Sequence, residues 1–209
     1  MKELLLSAWV LVKENRRAYF AINVIYYGLV VVFMIYVAFN PPLQRSLLDQ
    51  MGSAFMTGPL SFVGKAYSNT LVLPAIAATF FVNLLLGSLA EITLPSLIIP
   101  FSGMLIGVVR AVLWGLILSP AEPSLRLAMI PHSLTLLLEG QGYILALLAV
   151  YIQGRAFLWP NTAGVAGHGR GYVEGLKRTG LLYVLVILVL LISAIYEVIE
   201  VFIMSALAS

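Results

Sequence analysis

A chain of 209 residues, 61% apolar and only 10% charged, with a mean hydropathy of +1.02, has too little polar surface for a water-soluble particle, since a globular domain carries about 25% charged residues. It has no cysteine, which removes disulfide frameworks, thiolate metal sites and cysteine nucleophiles. Its net charge of +3 is small, and the basic residues stand beside hydrophobic runs instead of gathering on a polar face, so no nucleic-acid partner is expected.

The segmentation predicts an all-α fold, a polytopic membrane helix bundle of about five transmembrane helices with interfacial amphipathic helices, forming a single membrane domain over residues 1–209. Residues 1–17 open with an apolar stretch, Leu4 to Val12, followed by Lys13, Glu14, Arg16 and Arg17 without a small-residue cleavage site, which argues against a signal peptide. Leu4, Leu5, Ala8, Trp9 and Val12 recur at helical spacing, so this segment reads as a helix on the membrane surface with Trp9 as its anchor. The first span is expected over 19–39 and ends at Asn40, Pro41 and Pro42. An outer loop over 40–70 places Leu43, Leu47, Leu48, Met51 and Phe55 on one helical face before Gly58 and Pro59, predicting a second interfacial helix. Further spans are expected over 71–92, 97–119, 133–153 and 181–206, with a Gly-rich polar cytoplasmic loop over 154–180.

Lys and Arg decide the orientation, because cytoplasmic loops are enriched in them. With the N-terminus inside, the inner segments hold eight and the outer ones three, which favours a cell-membrane protein with a cytoplasmic N-terminus and an outside C-terminus. The twelfth, Arg110, falls within the third span. An ionisable group in hydrocarbon is a functional-site hypothesis by default. At ~1.5 Å per residue, Asn83, Arg110, Glu139 and Gln141 all lie about 13–21 Å from the inner ends of their spans. These four form a candidate midplane polar cluster in which Arg110 pairs with Glu139, serving either structure or a transport pathway. Glu91, near the inner end of its span, reads as a headgroup-level carboxylate.

Toward the outer surface, His132, Glu139 and Glu200 form a candidate metal set for zinc or another divalent ion, although no HExxH or other dense metal motif accompanies them and no cofactor is otherwise expected. Gly103 and Gly107 form a small-xxx-small surface for helix packing, either within the chain or against a second protomer. The sequence Gly167-His168-Gly169-Arg170-Gly171 lacks the strand and Lys-Ser or Lys-Thr pair of a P-loop and reads as a flexible basic connection. No Ser, His and acid arrangement suggests catalysis, so no enzyme is expected.

Several stretches resemble the stage II sporulation protein M family of multi-pass membrane proteins. Phe80-Phe81-Val82-Asn83 is similar to its aromatic-Asn signature, Ser102-Gly103 through Gly107 to its Asn-Gly and following Gly, Pro131-His132-Ser133 with Glu139 to its Pro-His-Gly and following Glu, and Ile199-Glu200-Val201-Phe202 to its Ile-Glu-Ala-Phe. Ser102, Ser133 and Gly140-Gln141 depart from the family pattern. The resemblance covers roughly residues 75–203 and implies a membrane component that partners peptidoglycan hydrolases without being one. A non-enzymatic membrane scaffold, as a homo-oligomer or with other membrane proteins, is therefore the first expectation. The alternative is a small transporter or channel-forming subunit built on the intramembrane polar groups.

Overall fold

A computed structural model describes residues 2–208, and among them every regular element is helical. Helix α1 (Lys2–Glu14) is joined through Asn15 to α2 (Arg16–Ala38), α3 (Pro41–Met56) and α4 (Ser61–Ser68) follow, and then come α5 (Val72–Ile98), α6 (Ser102–Ile117), α7 (Met129–Leu158) and α8 (His168–Ala208). Four of these, α2, α5, α7 and α8, are long and apolar enough to cross a membrane, whereas α6 is a shorter apolar helix. We call the end of the bundle where α2 begins proximal and the opposite end distal.

Within the segment 1–17, α1 is helical, buries Ala8, Leu11 and Val12, packs against α8 and keeps Trp9 exposed beneath the Lys13 ammonium. Asn15 breaks it from α2 and turns its side-chain amide back onto the Leu11 carbonyl at 2.9 Å. The segment over 40–70 holds two helices, not one, because Gly58 and Pro59 interrupt the apolar face. Its most buried residue in α3 is polar: Gln44 donates to the carbonyls of Ile117 and Ser119 at 3.1 and 2.7 Å. That single amide satisfies backbone acceptors left open where α6 ends.

α7 is the central helix, with Tyr143 to Val150 continuously buried. Its largest partner is α8, which presents Leu182, Val186, Leu190, Ala194 and Val198, one every four residues, as a fully buried ridge. α6 buries only Gly103, Gly107, Ala111 and Gly115, also at four-residue spacing. A Cβ on Gly107 would lie 2.7 Å from the Leu147 side chain of α7, one on Gly103 would meet the Ile92 carbonyl of α5, and one on Gly115 would meet α2 at Val30 and Phe33. The glycine surface read from the sequence is thus filled within the chain.

Two expected boundaries change. α5 continues past Thr93 to Ile98: Pro95 lacks an N–H to donate, and the wider π-helical turns that precede it carry the helix through. Its stretch Val82–Thr93 is π-helical, and the Leu94 N–H donates to the Leu89 carbonyl five residues back. The flexible connection expected over 154–180 is also mostly helix, since α8 begins at His168 and α7 ends at Leu158. Two of the glycines of α8 permit close contact: a Cβ on Gly175 would lie 3.0 Å from Gln153 Cα, and one on Gly171 would strike the Ala156 carbonyl.

Candidate functional site: a polar cavity between α5, α6 and α7

α5 and α6 form a hairpin whose proximal end is tightly closed. Ser96 Oγ donates to the Ile92 carbonyl at 2.9 Å and accepts the Gly103 N–H at 2.8 Å. Phe101, in the left-handed region at φ 68°, makes the turn, and its ring packs onto Gly154 of α7, where a Cβ would lie 2.8 Å away. Beyond this joint, α5 and α6 line a cavity of about 690 Å³ with α7, Glu197 of α8 and, from the distal end, Met51, Phe55 and Val63 of α3 and α4. Its polar lining comprises Thr79, Asn83, Glu91, Arg110, His132, Glu139, Tyr143 and Glu197.

Tyr143 is the centre of this lining. The Arg110 guanidinium stacks 4.3 Å from its ring centroid, a cation–π geometry. Its hydroxyl lies 2.7 Å from Glu139 Oε1 and 3.1 Å from Asn83 Oδ1. One phenolic proton cannot serve both, and the carboxylate at the shorter distance takes it. Gly87 of α5 makes the room, since a Cβ there would lie 2.8 Å from the Tyr143 ring edge and 3.2 Å from Arg110 Nη2.

The expected Arg110–Glu139 pair is not formed. Arg110 Nη2 donates to Glu91, so the carboxylate read as a headgroup-level group is the arginine's counter-ion. Once α5 extends to Ile98, Glu91 and Arg110 lie about 10 and 12 Å along their helices from the hairpin turn and face one another. Gln141 does not join Arg110 either. Its amide donates to Asn23 Oδ1 at 2.7 Å and Tyr27 Oη at 3.1 Å, and its carbonyl accepts from Tyr19. Glu139 and Gln141 are two residues apart, about 200° around a helix, so α7 turns one to the cavity and the other to α2. The four-residue midplane cluster is therefore two separate networks.

The proposed metal set divides as well. His132 Nδ1 lies 3.1 Å from Glu200 Oε1, and Thr135 Oγ1 donates to Glu200 Oε2 at 2.7 Å, so both carboxylate oxygens are engaged. Glu139 stands with Tyr143 instead, and among the described residues no three His, Asp or Glu side chains gather to hold a metal ion. These residues do not fit the divalent ion expected of them.

Glu197, Thr79, Gly87 and Tyr143 line the cavity in addition to the candidate residues, and Tyr67 supports it from α4. Tyr67 Oη lies 3.3 Å from Glu197 Oε1 and 2.9 Å from Thr79 Oγ1, tying α4 to α5 and α8. Burial, and then the Glu197 carboxylate beside it, push the Tyr67 hydroxyl well above its ordinary range and keep it a neutral donor. The available signal was register: Leu136, Glu139 and Tyr143 follow His132 at steps of three or four along one face of α7.

The stretches that carry the sporulation-family resemblance converge here: Asn83, His132 and Glu139 line the cavity, Glu200 holds His132, and Gly103 closes the hairpin. No protein-family model, curated protein or solved structure matches the chain.

Proposed function

We propose that the chain crosses a cell membrane five times, N-terminus inside and C-terminus outside, and binds a small solute in the cavity between α5, α6 and α7, acting as a carrier or a channel-forming subunit and not as an enzyme. The observation that carries this reading is a partly open cavity of about 690 Å³, within the ~300–1,000 Å³ of small-molecule sites, lined by ionisable groups on helices read as membrane spans. A purely structural polar cluster would close on itself, as the Gln141 network does.

The absence of native cysteine makes thiol labelling a clean test. Val82→Cys and Ile106→Cys, both lining the cavity, are expected to react with a membrane-impermeant thiol reagent, and Leu188→Cys, exposed on the outside of α8, to remain inert in the bilayer. Equal inertness at all three positions would overturn the reading. Proteoliposome flux then separates a carrier or channel from a static binding protein.

A second reading, a membrane scaffold of the sporulation family, is favoured by the convergence of the resembling stretches. It has lost the glycine surface as an oligomer argument, because that surface is occupied within the chain. Crosslinking in native membranes that recovers neither a second copy nor a partner would count against it.

A further inference from the structure

Resting on the solute-binding reading, we propose that the solute is an amphiphile drawn from the bilayer, a hydroxyl-bearing head on an apolar chain, entering sideways through a slot between α5 and α6. The walls of the cavity leave that direction open. The α5–α6 turn seals the proximal end, where Ser96 bonds both Ile92 and Gly103. Phe55 of α3 and Val63 of α4 cover the distal end, and Leu136 and Tyr143 of α7 form the back. On the remaining side, the distal part of α5, Val72–Phe81, packs chiefly on α4 and α8, while α6 packs chiefly on α2, so their supports lie on opposite sides of the gap between them. Leu86 of α5 and Val109 and Leu113 of α6 line the cavity, yet they are 47%, 56% and 40% exposed on the flank of the bundle. On helices that cross a membrane this flank faces hydrocarbon, so the mouth admits what is dissolved there.

A second observation specifies the polar part. Glu91 lines the same cavity with 50% of its side chain exposed, whereas its partner Arg110 is mostly covered. Arg110 occupies Glu91 Oε2, leaving Oε1 to whatever fills the mouth. Lipid chains offer no hydrogen bond, and a carboxylate oxygen left unsatisfied among them is costly. A hydroxyl donates to that oxygen without bringing a charge of its own. With the head at Glu91, the chain has an apolar path along Leu86, Val109 and Leu113 toward Phe55 and Val63.

A monoacylglycerol carrying a diazirine in its acyl chain tests this on the full chain in nanodiscs. On illumination it is expected to be captured at Trp114, Leu136 or Tyr143 inside the cavity, mapped by peptide mass spectrometry, and to be displaced by the unlabelled compound. Glycerol, the head alone supplied from water, should leave capture unchanged. The methyl ester of the same fatty acid, at equal mole fraction, should compete at least about threefold less well for want of the hydroxyls. Val109→Trp, which fills the slot at an exposed position, should lower capture at least about fivefold relative to Leu188→Trp on the outside of α8. Leu86→Trp repeats the test from α5 should Val109→Trp fail to fold. Capture confined to the outer surface, capture unmoved by the slot variants, or competition by glycerol or the methyl ester equal to that of the monoacylglycerol overturns the inference. No capture while Val82→Cys still labels removes the amphiphile and leaves a water-borne solute, whereas loss of both removes the solute reading itself.

Discussion

Tyr143 joins three helices through one side chain: its ring face holds Arg110 of α6, its edge fits over Gly87 of α5, and its hydroxyl serves Glu139 on its own helix. Tyr143→Phe keeps the ring and removes only the donor, so Glu139 loses a charge-assisted bond, at a cost of ~1–3 kcal/mol. Thermal unfolding in nanodiscs should show a melting point several degrees lower, and an unchanged value would mean that the hydroxyl does not bond Glu139. Gly87→Ala adds a methyl 2.8 Å from that ring and is expected to cost about 1–3 kcal/mol through overpacking, with Tyr143 displaced from Arg110. Depth along a helix is legible in the sequence, and so is azimuth. Glu139 and Gln141 agree in depth yet face opposite ways, a fact their spacing of two already contains. Glu91 lies deeper than a span ending at 92 implies, because α5 runs on through Pro95 to Ile98.

Among the elements, α6 and the proximal part of α8 depend on glycine, and the sequence separates their cases unequally. In α6 the spacing Gly103, Gly107, Ala111, Gly115 falls on one apolar helical face and signals close packing, although not which neighbour receives it. In α8, Gly171 and Gly175 sit among charged residues and carry the composition of a loop, while the close contacts they make come from α7, distant in sequence. Gly107→Leu should prevent α6 from seating on Leu147 and open the cavity wall, seen as a lower melting point and faster thiol labelling of Ile106→Cys in the double variant. Gly175→Leu should separate α8 from α7 at Gln153 without altering that labelling. Equal effects of the two on labelling would contradict the assignment of α6, and not α8, to the proximal cavity wall. Gln44→Leu tests the other end of α6. It leaves the Ile117 and Ser119 carbonyls without their donor and should destabilise the protein by roughly 1–3 kcal/mol.

At the scale of the whole molecule, composition carries the helical bundle, the basic-residue count is the ground for the proposed direction, and the number of crossings turns on α6. Its 16 residues span about 24 Å, some 6 Å short of the ~30 Å hydrocarbon core. Such a mismatch is met by local thinning of the bilayer or by polar flanks drawn inward. α6 nevertheless delivers the chain from the proximal hairpin turn to the distal end, where Ser119 Oγ donates to the Met34 carbonyl at 3.0 Å and Arg45 pairs with Glu122 at 3.1 Å. A five-crossing chain therefore puts residues 40–70 and 119–128 on one side of the membrane and the basic connection before α8 on the other. In intact cells, an impermeant thiol reagent should label Asp49→Cys and Arg126→Cys from outside and leave Lys177→Cys untouched until the membrane is opened. Protection of Arg126→Cys together with Lys177→Cys would mean that α6 does not carry the chain across, and with it the fifth crossing would be lost. Labelling of Lys177→Cys alone would instead invert the orientation while preserving the fold, because the ion pair and Gln44 tie the distal segments together whichever side they face.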